Sequence, residues 1–192
     1  MKSAFLRGGL LLLAASLAAC STNGNRGAGG AGGVEVARFH LGEPVARAKI
    51  AVDAFDKADI NRPEFPAYAA AVGRQLARLG WTVVPSTAQS EQIALIDLEQ
   101  GSREAVAALT AARIGRGVSP TAPAGSAPDM TATLLEVAIR RRSDQTVFWE
   151  GRAVAEARTG SPQAARVTAV ERLAEALFRD FPGDSGRTIR IK

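Results

Sequence analysis

The stretch from Thr131 to Arg158, TATLLEVAIRRRSDQTVFWEGRAVAEAR, constrains the fold more than any other part of the chain. In its first arm Leu135, Val137 and Ile139 share one face, and in its second arm Val147, Trp149, Ala153 and Ala155 do the same. Successive side chains of a strand point to opposite sides, so this alternation predicts two half-buried strands joined as a long hairpin, with the basic run Arg140, Arg141 and Arg142 at its tip. The opposite sides carry Glu136, Arg140, Glu150, Arg152, Glu156 and Arg158, an arrangement suited to cross-strand charge pairs on a solvated surface. A hairpin with one apolar face requires other elements to cover that face.

Two amphipathic helices are available to cover it. Phe65, Tyr68, Val72, Leu76 and Leu79 recur at helical spacing, Arg74, Gln75 and Arg78 face away, and Gly80 stands where a C-terminal cap belongs. Ser161-Pro162 reads as an N-cap followed by a first helical proline, and Val167, Val170, Ala174, Leu177, Phe178 and Phe181 then form a stripe ended by Pro182-Gly183. Strands are expected at Val34 to His40, Lys49 to Phe55, Trp81 to Val84, Gln92 to Leu98 and Thr188 to Ile191. The segment QIALIDL is apolar on both faces, which marks it as central. Ala105 to Arg113 has the makings of one or two helical turns, and a loop is expected near residues 113–128, with Pro120, Pro123 and Pro128. These parts predict an α+β two-layer sandwich, with one mostly antiparallel sheet of about six strands and two main helices on one face.

The amino-terminal segment, with Lys2 and Arg7 ahead of the apolar run Leu10 to Leu17, has the form of a secretory signal. That run is too short for a permanent membrane span, which takes about 20 apolar residues. Leu17-Ala18-Ala19-Cys20 resembles the lipobox of bacterial lipoproteins, in which the thiol receives diacylglycerol, the chain is cut before it and the new amino terminus is acylated. Cys20 is the only cysteine, so no disulfide is expected in an oxidising compartment. Multiple acyl chains give stable anchoring where a single one does not. Ser21 in the next position resembles Gram-negative sorting to the outer membrane. Residues 1–19 are thus expected to be a signal peptide, 20–33 a lipidated cysteine with a glycine-rich tether, and 34–192 a single periplasmic α/β domain. The 24 basic residues, less Lys2 and Arg7, face 19 acidic ones for a mature formal charge of +3, which does not point to nucleic acid.

The order of these parts resembles a known family. VEVARFH, a helix ending in Leu79-Gly80, the apolar strand before Asp97, VFWEGRA at Val147 to Ala153 and FRDFPGDSG at Phe178 to Gly186 together resemble the bacterial lipoproteins called domain of unknown function 4136. The resemblance spans Val34 to Lys192. It implies a periplasmic α/β fold and no established activity.

Each motif suggestive of chemistry has a plainer reading. Gly27 to Gly32 fits G-x-G-x-x-G, but no strand precedes it and no helix follows, so it reads as linker. Gly183-Asp184-Ser185-Gly186 resembles the nucleophile loop of trypsin-like proteases, with His40 earlier in the chain. A serine nucleophile also needs an oriented base and an oxyanion hole, and the surroundings of His40 and Arg187 do not resemble that family's. Gly183 reads instead as a helix cap, with Asp184 to Gly186 turning into the last strand. His40 is the only histidine, and Asp53, Asp56 and Asp59 lack the glycine and glutamate of an EF-hand loop. Trp81, Trp149 and Phe181 are expected in the core. Arg140 to Arg142 is a solvated turn or a contact for anionic head groups or an acidic partner. No catalytic residue, metal or cofactor is expected. The resulting expectation is a lipid-anchored, non-catalytic envelope protein in the outer membrane, with a protein or polymer partner. The alternative is a module binding a small apolar or lipidic ligand between helices and sheet.

Overall fold

The computed structural model describes residues 33–42, 45–114 and 129–192. The signal segment, Cys20, the tether up to Gly32 and residues 115–128 of the expected loop lie outside the described residues. The fold is mixed α/β, one seven-stranded sheet with three helices. In chain order the elements are β1 (Val34–His40), β2 (Lys49–Ala54), α1 (Phe65–Arg78), β3 (Thr82–Val83), β4 (Gln92–Gly101), α2 (Arg103–Ile114), β5 (Met130–Arg141), β6 (Val147–Arg158), α3 (Arg166–Phe178) and β7 (Arg187–Ile191). The sheet order is β3-β2-β4-β5-β6-β1-β7.

Seven strands, rather than about six, are present because both short edge segments, β3 and β7, pair with the sheet. β2 runs parallel to β3 and β4, and the other pairings are antiparallel. The expected hairpin forms, and β4 is buried along most of its length.

One face of the sheet is closed by α1 and α3. Ile50, Ala94, Ile96, Leu135, Val137, Ile139, Trp149 and Ala153 meet Val72, Leu76, Val170, Leu173 and Leu177 there, all essentially without exposure. Trp149 stacks on Phe178 with ring centroids 5.3 Å apart and donates its indole N–H to Pro182 O at 3.0 Å. Its ring can lie across β6 because Gly151 is there. A β-carbon at 151 would sit 2.5 Å from Trp149 Cη2 and 2.8 Å from Leu177 Cδ1. Trp81 is also buried; its indole N–H donates to Gln92 Oε1 at 2.6 Å, and its ring meets Phe181 edge-on.

Three further expectations need correction. The Ser161-Pro162 pair opens a short 3-10 turn at Pro162–Ala164, and α3 begins only at Arg166. That helix ends at Phe178, not at Pro182, because the buried guanidinium of Arg38 takes up its last carbonyls. Arg38 Nε donates to Leu177 O at 2.8 Å and Nη2 to Ala176 O and Arg179 O, each at 2.9 Å. Gly183 is therefore not the cap; it leaves room for Arg38, whose Cδ would lie 2.5 Å from a β-carbon there. Burial pushes the Arg38 guanidinium below its ordinary pKa, against the pull of Asp180 and Asp184.

α2 is a third helix, of 12 residues instead of one or two turns, and it lies on the opposite face. Its Val106 packs on Ala132 and Leu134 with Val154 alongside. Arg103 reaches across to Glu35 at 3.1 Å and Glu156 at 3.2 Å. Burial disfavours the Arg103 charge, but these two carboxylates outweigh it and raise its pKa.

Candidate functional site

Among the described residues α2 covers only one end of its face, and the rest of that face is an open trough. The register of the strands assembles it. One row runs Asp53, Leu95, Ala138, Glu150, Phe39 across β2, β4, β5, β6 and β1. The neighbouring row places Asp97 beside Glu136 and Glu136 beside Arg152. Phe55 follows β2 and continues its pairing by donating its backbone N–H to Ile96 O at 2.9 Å. The resulting depression, about 500 Å³, is lined by Phe39, Phe55, Leu95, Val147 and the four charged groups Asp97, Glu136, Glu150 and Arg152, among others.

The apolar lining is accessible. Phe39 is 41% exposed, Phe55 65% and Val147 42%, although each is a large hydrophobe in or beside a strand. Val147 was expected to share the core face with Trp149. A register shift after Ile139 pairs Ile139 with Trp149 but Arg140 with Val147, leaving Phe148 as an extra residue. Such a bulge changes the phase of alternation, so Phe148 turns into the core and Val147 into the trough.

Among the described residues the polar lining is organised around the Arg152 guanidinium. Arg152 Nε donates to Glu136 Oε1 at 2.6 Å, its Nη2 bonds Glu150, and its guanidinium lies 5.9 Å from the centroid of the Phe39 ring. An expected cross-strand charge pair, Arg152 with Glu136, therefore forms here, on an unevenly covered face. Asp97 is buried beneath the trough at 8% exposure.

The other sequence candidates are separated and engaged. Asp53 pairs with Lys57, Asp56 accepts from Ala58 N–H at 2.9 Å to open a 3-10 turn, and Asp59 pairs with Arg62 at 2.7 Å. Among the described residues no group of three or more His, Cys, Asp or Glu side chains is placed to hold a metal ion. His40 and Ser185 do meet, but through the backbone: His40 N–H donates to Ser185 Oγ at 3.1 Å. The His40 ring accepts from Gly42 N–H at Nδ1 and lies 3.0 Å from Gly183 O at Nε2, which fits a donor Nε2–H. Its one lone pair is thus turned away from Ser185.

At the hairpin tip the three arginines differ. Arg140 lies within β5, Arg141 pairs with Asp144 at 3.4 Å, and Arg142 Nε donates to Ser90 O at 2.6 Å, tying the tip to the loop before β4. Cys20 and the Gly27 to Gly32 motif fall outside the described residues.

No family model matches the chain. A curated relative, the uncharacterized protein ZMO1243 of Zymomonas mobilis, is 24% identical over 83% of this chain and 80% of its own length. Among solved structures, the PelC dodecamer from Paraburkholderia phytofirmans has a TM-score of 0.42 at 9% identity, covering 73% of this chain and 94% of that one. A PDZ domain protein from Parabacteroides distasonis has a TM-score of 0.47 at 11% identity, covering 83% and 39%. Likenesses at this level say nothing about what the chain does.

Proposed function

We propose that this chain is a lipid-anchored envelope protein, held in the outer membrane by acyl chains on Cys20 and facing the periplasm. Its domain binds a protein or polymer partner through the uncovered part of its sheet and carries out no catalysis. The anchor rests on the lipobox-like Leu17 to Cys20, and the family resemblance to domain of unknown function 4136 lipoproteins stands beside it as a proposal. The binding reading is supported above all by one observation, the open trough that keeps Phe39, Phe55 and Val147 half exposed on a sheet whose other face packs against α1 and α3. A contiguous exposed apolar patch is a feature of interaction surfaces, whereas single exposed hydrophobes are ordinary. The alternative, a lipidic ligand between helices and sheet, finds less support, because Leu135, Trp149, Leu173 and Leu177 already fill that layer.

The test uses the full chain in cells, with a photoreactive residue replacing Phe55 or Val147, or Glu175 on the exposed side of α3. Discrete light-dependent adducts are expected from positions 55 and 147 and not from 175. Equal adducts from all three, or none, would remove the sheet face from the proposal. For the anchor, Cys20→Ala is expected to leave an uncut precursor that no longer partitions with detergent; unchanged processing and partitioning would refute it.

A further inference from the structure

β7 stands at one end of the sheet and, among the described residues, pairs on one side only, with β1. Among those residues no loop, turn or side chain bonds to the backbone on its outer side. An edge strand of this kind leaves alternate N–H and C=O groups open to another chain. The opposite edge is no equivalent, because β3 is two residues long. β7 offers five residues, Arg187–Ile191, without proline and with an unbroken register against β1.

The side chains of that edge alternate in a way that selects what can join it. Arg187, Ile189 and Ile191 share the face covered by the helices, and Thr188 and Arg190 share the other. Ile191 is buried, Ile189 is 36% exposed, and both arginines are exposed. Arg187 reaches Asp184 only at 4.0 Å, with the two side chains 76% and 73% exposed, a contact of little strength. Arg190 stands opposite Glu35 in the ladder, but Glu35 bonds Arg103, and Arg190 has no ion pair among the described residues. The edge therefore presents one guanidinium on each face with an apolar position between them.

We propose that β7 receives an extended segment of a partner polypeptide as an added strand, with an acidic residue beside Arg187, another beside Arg190 and an apolar one beside Ile189. The site is separate from the trough, to which β7 contributes no residue. Main-chain bonds along the ladder supply affinity, and the cross-strand charge pairs fix register and choice of partner. A second copy of this chain fits poorly, since an antiparallel β7–β7 pairing centred on Ile189 gathers the arginines of both copies on one short ladder. Anionic head groups and polymers without an amide backbone leave the ladder open.

The probe is a labelled, end-capped peptide reading valine-glutamate-valine-threonine-glutamate. Binding is read by fluorescence anisotropy on the full chain in nonionic micelles, with empty micelles as the blank. The peptide is expected to bind, and a counterpart with lysine for glutamate to bind at least tenfold more weakly. Two N-methylated forms, one altered at the second and fourth residues and one at the third and fifth, separate strand addition from attraction of charge alone. Successive amides of a strand face opposite neighbours, so one form is expected to lose at least tenfold and the other to bind like the unmethylated peptide. The double variant Arg187→Gln and Arg190→Gln is expected to lose at least tenfold without moving the thermal transition, and Phe55→Ser to bind as the parent does. Failure to bind, equal binding of the glutamate and lysine peptides, equal effects of the two methylation patterns, or indifference to the double variant would overturn the inference. So would loss of binding in Phe55→Ser, which would put the peptide in the trough, or a dimer of the full chain in sedimentation that the peptide disperses.

Discussion

Replacing Gly151 with alanine tests how the core is assembled. The added carbon would stand 2.5 Å from Trp149 Cη2, 3.0 Å from Trp149 Cζ2 and 2.8 Å from Leu177 Cδ1. Carbon atoms rest at about 3.5 to 4.0 Å, so the overlap approaches an ångström on two sides at once. Neither neighbour has space to retreat, since Trp149 and Leu177 are both fully buried and Trp149 is further held by Phe178 and Pro182. Overpacking of this kind costs about 1–3 kcal/mol, and the double clash places it at the upper end. Against that, alanine gains roughly 0.5–1 kcal/mol over glycine in backbone entropy. The net expectation is a destabilisation of about 2 kcal/mol, or a fall of roughly 4–8 °C in melting temperature for a domain of this size. The assay is urea unfolding in a Trp81→Phe background, so that Trp149 alone reports. Leu177→Ala clears one of the clashes, and Gly151→Ala should then cost at least about 1 kcal/mol less than in the parent. A neutral or stabilising Gly151→Ala would mean that the indole does not cross the strand at that point, and the account of the core would fail.

Three other outcomes follow from the geometry. Arg38→Met strips the hydrogen bonds from Ala176, Leu177 and Arg179 carbonyls and should destabilise by about 1–3 kcal/mol in thermal unfolding; a variant as stable as the parent would show those carbonyls satisfied by water. Asp144 accepts from Thr146 N–H in the hairpin turn and pairs with Arg141, which holds its carboxyl below the ordinary aspartate range. Its depressed folded-state pKa makes its small contribution fully present above about pH 4 and lost as pH falls further, and an NMR titration placing its midpoint at or above the ordinary value would contradict this. A fluorophosphonate probe should not label Ser185, whose hydroxyl accepts a backbone N–H while the His40 lone pair faces Gly42; labelling abolished by Ser185→Ala would reverse that assignment.

What the sequence made legible was whatever depends on local period. α1 with Gly80 beyond it, β4 as an inner strand and the β5–β6 hairpin all declare themselves through spacing, as does the place of Trp149 in the core. Features set by distant partners were not legible. The end of α3 depends on Arg38, some 140 positions earlier, so the apolar stripe running on to Phe181 overstated the helix. Val147 changed faces because a single extra residue, Phe148, shifts the phase of β6. The trough was the largest omission, although a signal for it exists. Phe39 is out of phase with Val34 and Val36, and Phe55 with Ile50 and Val52, so both strands carry an aromatic on the side away from the helices. What periodicity cannot supply is the extent of cover on that side, which depends on where α2 packs and stops.

The pairing of β1 with β7 sets Val34 directly beside Ile191, so the described domain begins and finishes at one point on its surface. Topologically it is nearly a closed ring. A short bridge from Lys192 back to Val34 would close that ring, and a new opening cut in the turn at residues 142–146 would leave every strand pairing intact, so the order of elements along the chain can be rotated without changing the architecture. For the same reason the domain can be threaded into a host loop like a bead, entering and leaving through neighbouring positions, with the trough displayed on its flank and the host's two strands of chain kept together.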